Sequence, residues 1–190
     1  MGYAIAEAAL AAGYDVTLIS GPVNLDPPPG AQFVSILTSD EMYGAVHRHA
    51  RECDVLVMCA AVADYKPRKV SATKIKKSNE HFALDLIPTR DILASLPHED
   101  RQFLFVGFAA ETSDIEENAK QKLRAKNCDI IVANDVSSAD SGIESDENEV
   151  TIFFRNGEKE RISSASKKNI ARELVKILIN SREKRLTKKM

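Results

Sequence analysis

Glycine and proline are scarce, at 8 and 7 of 190 residues, which excludes collagen-like and low-complexity classes. Neither sign of charge dominates: 26 Lys+Arg against 28 Asp+Glu give a formal charge of −2. General nucleic-acid binders are basic, so that class loses ground. The three cysteines, Cys53, Cys59 and Cys128, share no CxxC spacing. An odd, scattered count fits a reducing compartment rather than a disulfide framework. No apolar run approaches the length of a membrane span, and the Ala-rich start carries Glu7 and no basic n-region, unlike a secretory signal. Hydrophobic residues at 44% rule out disorder for the whole chain and suffice for a full core. The expectation is one soluble, cytoplasmic domain over 1–190 that engages neither nucleic acid nor membrane.

Several catalytic signatures are also missing. There is no GxxxxGK[ST] and no GxGxxG, so neither a P-loop nor a dinucleotide fingerprint is present. No GxSxG elbow exists. His47, His49, His81 and His98 and the cysteines lack metal-ligand spacing.

What is there changes hydrophobic period repeatedly. Gly2–Ala12 reads as a helix stopped by Gly13. Asp15–Ser20 and Gln32–Leu37 read as strands around a loop holding Pro22, Pro27, Pro28 and Pro29. Ser39 is the expected N-cap of a helix over Asp40–Arg51. The runs DVLVMCA (54–60), FLFVGFA (103–109) and DIIVA (129–133) have no polar face, as in a parallel sheet covered on both sides. Ser113 and Glu116 form a capping box opening a helix with Ile115, Ala119 and Leu123 on one stripe. Strands at 149–154 and 158–162 are expected to meet through a type I′ turn at Asn156-Gly157. A helix over 166–185 closes the chain. The fold expected is α/β: Rossmann-like and doubly wound, a mainly parallel sheet with helices on both faces and a small antiparallel appendage.

In such sheets ligands bind beyond the carboxyl ends of the strands. Three of those ends carry unusual residues. After 54–60 come Ala61, Ala63 and Asp64, where small side chains admit a ligand to the backbone and Asp64 can bind a hydroxyl or Mg²⁺. The second end, Gly107–Thr112, runs into the start of the capped helix, a place that favours anions; Phe108 there can flank a planar base. Lys122 and Lys126, one turn apart, can address one anion, although such a pair alone reads as a solvated face. The third end is Ala133-Asn134-Asp135, which by itself suits a turn. Lys66–Lys77 holds six basic residues and no acid, as expected of a flap closing over phosphates.

Taken together, AAVADYKP (60–67), KIKK (74–77), GFAAET (107–112) and ANDVS (133–137) closely resemble phosphopantothenoylcysteine synthetases of the bacterial, CTP-using type. The resemblance implies a ligase of coenzyme A biosynthesis. Such an enzyme joins 4′-phosphopantothenate to L-cysteine through an acyl-cytidylate, releasing pyrophosphate and then CMP, with Mg²⁺ accompanying CTP. It further implies that Lys74 is catalytic and stabilises phosphate charge. Ala61, Ala63, Asp64, Lys74, Phe108, Lys122 and Lys126 are implied nucleotide contacts, and Asn134 a substrate contact. Thr89, Arg90, Asp91 and Ile92 align with a nucleotide loop that usually reads Asn-Pro-Asp-Ile. From the residues themselves, the alternation of Phe82–Ile87 allows pairing across an edge. A homodimer is implied, its interface including the extended segments beside the flap. So is a flavin-dependent decarboxylase domain in the full-length protein, with no FMN on this chain. Family members carry a strand and a loop ending in Ile-Ser-Asn-x-Ser-Ser-Gly-Lys just before the equivalent of Met1-Gly2, and turnover without that segment is expected to be impaired. Two other readings stand beside this one: a nicotinamide-dependent oxidoreductase, from fold alone, and a nucleotide-binding regulatory subunit whose flap meets RNA.

Overall fold

The computed structural model describes residues 1–77, 81–97, 101–111, 114–135 and 147–187. Helix α1 (Gly2–Ala11) leads through Gly13, at φ +85°, into strand β1 (Thr17–Ser20). Past the proline loop, β2 (Gln32–Ser35) pairs with β1 in parallel. Helix α2 (Ser39–His49) is capped by Thr38 rather than Ser39. A cap needs extended backbone, and Thr38 has it (φ −122°, ψ 158°). Thr38 Oγ1 accepts the Glu41 amide at 3.2 Å, while Glu41 Oε2 accepts the amides of Thr38 (3.0 Å) and Leu37 (2.6 Å). This reciprocal box satisfies amides that have no helical partner.

The central sheet has the order β3-β6-β7-β8-β9, built from β3 (Val55–Met58), β6 (Leu104–Glu111), β7 (Ile130–Asp135), β8 (Glu147–Phe154) and β9 (Lys159–Ser166). Strands β3, β6 and β7 are parallel neighbours, with Val57 opposite Val106 and Phe108 opposite Val132. Strand β8 pairs antiparallel on both sides, so it alone runs against the rest. The α/β expectation holds, with one difference: β1 and β2 form a separate two-stranded sheet. Strands β4 (Tyr65–Pro67) and β5 (Leu86–Pro88) make a short antiparallel arm.

Two-sided burial follows the strand period. Leu104, Val106, Ile130 and Val132 pack with Ile5 and Ala8 of α1 and with Ile170, Leu174 and Leu178 of α4 (Lys167–Thr187). Phe105, Ala109, Ile131 and Ala133 face the other way, onto Met42 and Val46 of α2 and Ala119 and Leu123 of α3 (Ile115–Ala125).

Two local expectations are corrected. Only Gly157, at φ +91°, takes a positive φ in the β8–β9 connection, whereas type I′ needs two such residues. Phe154 O accepts the Gly157 amide at 3.0 Å and the Phe154 amide donates to Glu158 O at 3.0 Å. The result is a three-residue loop, with Asn156 Oδ1 taking the Glu158 amide at 3.0 Å. At the start of α3, Asp114 takes φ +49° and makes no side-chain cap. The Ser113 half of the expected capping box lies outside the described residues, and Glu116 accepts Lys120 at 2.6 Å and Lys159 at 2.8 Å. These two ammonium groups draw its carboxyl down to about 2. Thr112, Ser113 and residues 136–146, which include most of the acidic stretch 140–149, lie outside the described residues.

The amino ends of the parallel strands are closed by ion pairs. Asp129, at the start of β7, accepts the Phe105 amide at 2.9 Å, Arg101 Nη2 at 2.7 Å and Arg185 of α4. Arg185 also donates to Arg101 O at 3.1 Å, and Arg182 pairs with Asp54 at 2.8 Å. The last turns of α4 are thereby pinned to the sheet edge. Arg101 exposes 3% of its side chain, and a buried cation stripped of its counter-ion is strongly destabilising. Asp129→Ala is expected to cost about 3 kcal/mol, measured as a lower urea midpoint at unchanged slope; an unmoved midpoint would refute the role given to this cluster.

Candidate active site

Because β3, β6 and β7 are parallel, their carboxyl ends share one edge of the sheet, and the three segments singled out from the sequence sit there. The loop after β3 leaves Ala61, Ala63 and Asp64 exposed. It is tied to the segment after β5: Thr89 Oγ1 donates to Ala63 O at 2.7 Å and the Thr89 amide to Asp64 O at 2.8 Å. Next along, Asp91 accepts the Ala94 amide at 3.0 Å on Oδ1 and the Lys126 ammonium on Oδ2. Partial burial alone would raise the Asp91 carboxyl, but the Ala94 amide, Lys126 and the Leu93 amide outweigh it and hold the group below the usual range. Ile92, at 3% exposure, packs in the core with Met42, Leu96 and Phe105. Its side chain anchors the loop, which leaves only backbone for a ligand.

Phe108 is half-buried on the α1/α4 face of β6, and its carbonyl accepts Lys122 Nζ at 2.8 Å. Lys122 and Lys126 do lie one turn apart, but they serve different partners, the Phe108 carbonyl and Asp91. The expectation that both address one anion is not met by this arrangement. Asn134, on β7 opposite Ala110 and Val150, has a buried Oδ1 without a hydrogen-bond partner. Lys74 stands apart: it is exposed, in a stretch without regular structure, and forms no ion pair among the described residues. The basic segment therefore has a fixed base, the β4–β5 arm, and an open outer part. Of 82–87 only Leu86 and Ile87 pair as strand, opposite Pro67 and Lys66.

Three residues join the site that motif reading did not select. Asp40, in the first turn of α2, pairs with Lys66 and with Arg90 Nη2 at 3.1 Å, and Arg90 lies 4.3 Å over the Tyr43 ring. The Lys66 hydrogen bond is the main cause holding the Asp40 carboxyl below its ordinary value. A signal was available for half of this: Asp40 and Tyr43 are three apart, on one helix face. Lys66 belongs both to the AAVADYKP motif and to the basic run, and neither pattern indicates its partner.

The surroundings of the three free cysteines suit packing more than nucleophilic reactivity. Burial pushes the thiols of Cys53 and Cys128 up to about 11 and raises Cys59 as well, opposite to what reactivity needs. Cys59 Sγ also lies 2.8 Å from where a Cβ on Gly2 would stand, so helix α1 enters against it. Among the described residues no three His, Cys, Asp or Glu side chains cluster as a metal site. Nor is any helix long and apolar enough to cross a membrane.

The family described as DNA/pantothenate metabolism flavoprotein C-terminal domain matches residues 1–181. The chain belongs to that family. It is 45% identical over 176 residues to the coenzyme A biosynthesis bifunctional protein CoaBC of Bacillus subtilis, covering 92% of this chain and 43% of that protein. The CoaBC protein of Haemophilus influenzae is 41% identical over 187 residues, 98% of this chain and 46% of its own. This chain thus spans less than half the length of these relatives. A crystal structure of the C-terminal domain of CoaBC superposes with a TM-score of 0.80 at 38% identity, over 96% of this chain and 82% of that one. The DNA/pantothenate metabolism flavoprotein of Streptococcus pneumoniae shares the fold, with a TM-score of 0.75 at 22% identity over 94% of this chain and 86% of that one.

The Asp91 contacts generate a pH prediction. A carboxyl whose folded pKa is depressed adds stability above its unfolded value and loses it as pH falls through the folded one. Asp91→Asn is therefore expected to be less stable than the parent at pH 7, by up to about 1 kcal/mol for so exposed a pair. That gap should close as pH drops below about 4. A gap in thermal midpoint that persists undiminished in acid would contradict the assignment.

Proposed function

We propose that this chain carries the phosphopantothenate–cysteine ligase step of coenzyme A biosynthesis, using CTP. One observation carries the reading: among the residues that motif resemblance assigns to the nucleotide, the loops at 61–64 and 89–91 are joined by hydrogen bonds, Asp91 holds Lys126 and the Phe108 carbonyl holds Lys122, so that they form one connected set. In this reading the 4′-phosphopantothenate carboxylate attacks the α-phosphate of CTP. A carboxylate oxygen–phosphorus bond forms, the bond to pyrophosphate breaks, and an acyl-cytidylate results. The cysteine amine then attacks the acyl carbon and loses a proton, and CMP leaves with the electron pair of the broken carbon–oxygen bond. A free carboxylate is a poor acylating agent, so stabilising the departing phosphate charge is the site's main task.

The chain's own groups divide that task. Lys74 brings a mobile positive charge to the departing pyrophosphate, and the exposed loop 61–64 offers backbone to the nucleotide. Phe108 borders the base, and Lys122 and Lys126 supply positive charge from α3 and its C-cap. Asn134, with an oxygen lacking a donor, suits an N–H of substrate. Mg²⁺ keeps several waters and takes one or two carboxylates with the substrate's phosphates. Asp64 fits that demand, since Asp40 and Asp91 are already paired while Asp64 is exposed and unpaired among the described residues. Bound there, the ion would supply charge neutralisation. A homodimer accords with the apolar side chains the arm region exposes, among them Tyr65, Val70, Phe82 and Leu84. The reading places the protein in the cytoplasm, assigns no FMN to this chain, and puts a decarboxylase domain outside these residues.

Calorimetric titration with CTP and Mg²⁺, with ATP and NAD as controls, tests the reading. CTP is expected to bind and NAD not to bind; if an extended chain that includes the upstream strand and loop also fails to take CTP, the ligase reading falls. In that extended chain, Lys74→Gln is expected to lower kcat by about 100-fold or more while raising the CTP KM less than threefold, as for a group acting mainly in the transition state. An equal loss in both would contradict the role given to Lys74.

A further inference from the structure

Asp40 is the point where three segments of different origin meet. It sits in the first turn of α2, its Oδ2 taking Lys66 of β4 and its Oδ1 taking Arg90 through Nη2 at 3.1 Å and Nε at 3.3 Å. Lys66 lies two residues beyond Asp64, in the strand from which the basic flap departs; Arg90 adjoins Asp91. Both carboxylate oxygens are thus engaged, one by each side of the nucleotide edge. Arg90 is further held at 4.3 Å over Tyr43, whose ring centroid is 4.3 Å from that of His47. His47 Nε2 in turn meets Ser95 Oγ at 2.9 Å, in the segment that follows Asp91. Capping of α2 does not explain these contacts, because Thr38 and Glu41 already perform it. Without the carboxylate, two cations would face each other across the arm and its loop, and like charges in proximity repel.

We propose that Asp40 is a positioning residue, an electrostatic staple that fixes the base of the flap-bearing arm against the 89–92 loop and so sets the geometry in which nucleotide is received. This rests on the nucleotide-site reading above. It also gives a physical role to one of the two positions where this sequence departs from the usual loop pattern: Arg90 replaces a residue that cannot ion-pair, and Asp40 is its partner.

Two measurements test it. Without nucleotide, Asp40→Asn is expected to speed amide hydrogen exchange at 64–66 and 86–90, while amides of α4 keep their protection as an internal control. With nucleotide, Asp40→Asn is expected to weaken CTP·Mg²⁺ binding about three- to fivefold, the scale of partly exposed ion pairs. Asp40→Glu should recover most of that loss. In a Lys66→Met/Arg90→Met background, Asp40→Asn should add nothing, since a residue acting only through its partners has no effect without them. Unchanged exchange, unchanged or tighter CTP binding, or a full additive loss in that background would each overturn the staple. If the parent chain binds no CTP even with the upstream segment, the nucleotide reading falls and takes the staple's part in it, whereas the exchange arm still reports whether the arm is stapled.

Discussion

Strands β3, β6 and β7 have no polar side, and this constraint organises the rest of the molecule. Each must be covered twice, by α1 and α4 on one face and by α2 and α3 on the other. Polar chemistry is left only at the two ends of the strands. The amino-end edge is closed, with Asp54 and Asp129 held by Arg182, Arg101 and Arg185. At the carboxyl-end edge, Asp64 and Lys74 stay unpaired among the described residues and Asn134 keeps an oxygen without a donor. The same burial that stabilises the sheet therefore sorts charge into a structural edge and a receptive one.

At the receptive edge most cations already have internal partners. Lys126 is matched by Asp91, Lys122 by the Phe108 carbonyl, and Lys66 and Arg90 by Asp40. Groups held in this way keep their directions before any ligand arrives, which lowers the ordering cost of binding. On the nucleotide reading proposed above, an incoming polyanion would compete with carboxylates as well as with water. Discrimination at such a site depends on geometry more than on total charge.

The repeating elements were legible because hydrophobic period reports directly on burial. Runs such as DIIVA could be placed in a covered sheet, and the stripe Ala119/Leu123 on a helix packed below it. What the sequence left unread is mostly long-range or cooperative. Asp40 lies 26 residues from Lys66 and 50 from Arg90, and no local pattern couples such positions. That β1 and β2 stand apart from the central sheet is a matter of which edge pairs with which, on which alternation is silent. The cap shifted from Ser39 to Thr38 because both are competent residues and backbone conformation decides between them. Ile92 was read through its motif neighbours as a ligand contact, whereas its apolar side chain faces the core. For the candidate site, family motifs nominate the residues; their present partners are visible only in the fold.

The pairing of α1 with α4 has a consequence for how the chain is made. The face of β6 and β7 that carries Leu104, Val106, Ile130 and Val132 is shared by a helix at residues 2–11 and another at 167–187. During vectorial synthesis the first helix and the parallel strands leave the ribosome well before the last helix exists. Until it arrives, the part of that apolar face that it covers stays open, and contacts so distant in sequence form slowly. Such an intermediate is prone to aggregate. Expression yield should therefore respond more steeply to changes in the final helix than its contribution to equilibrium stability alone would suggest.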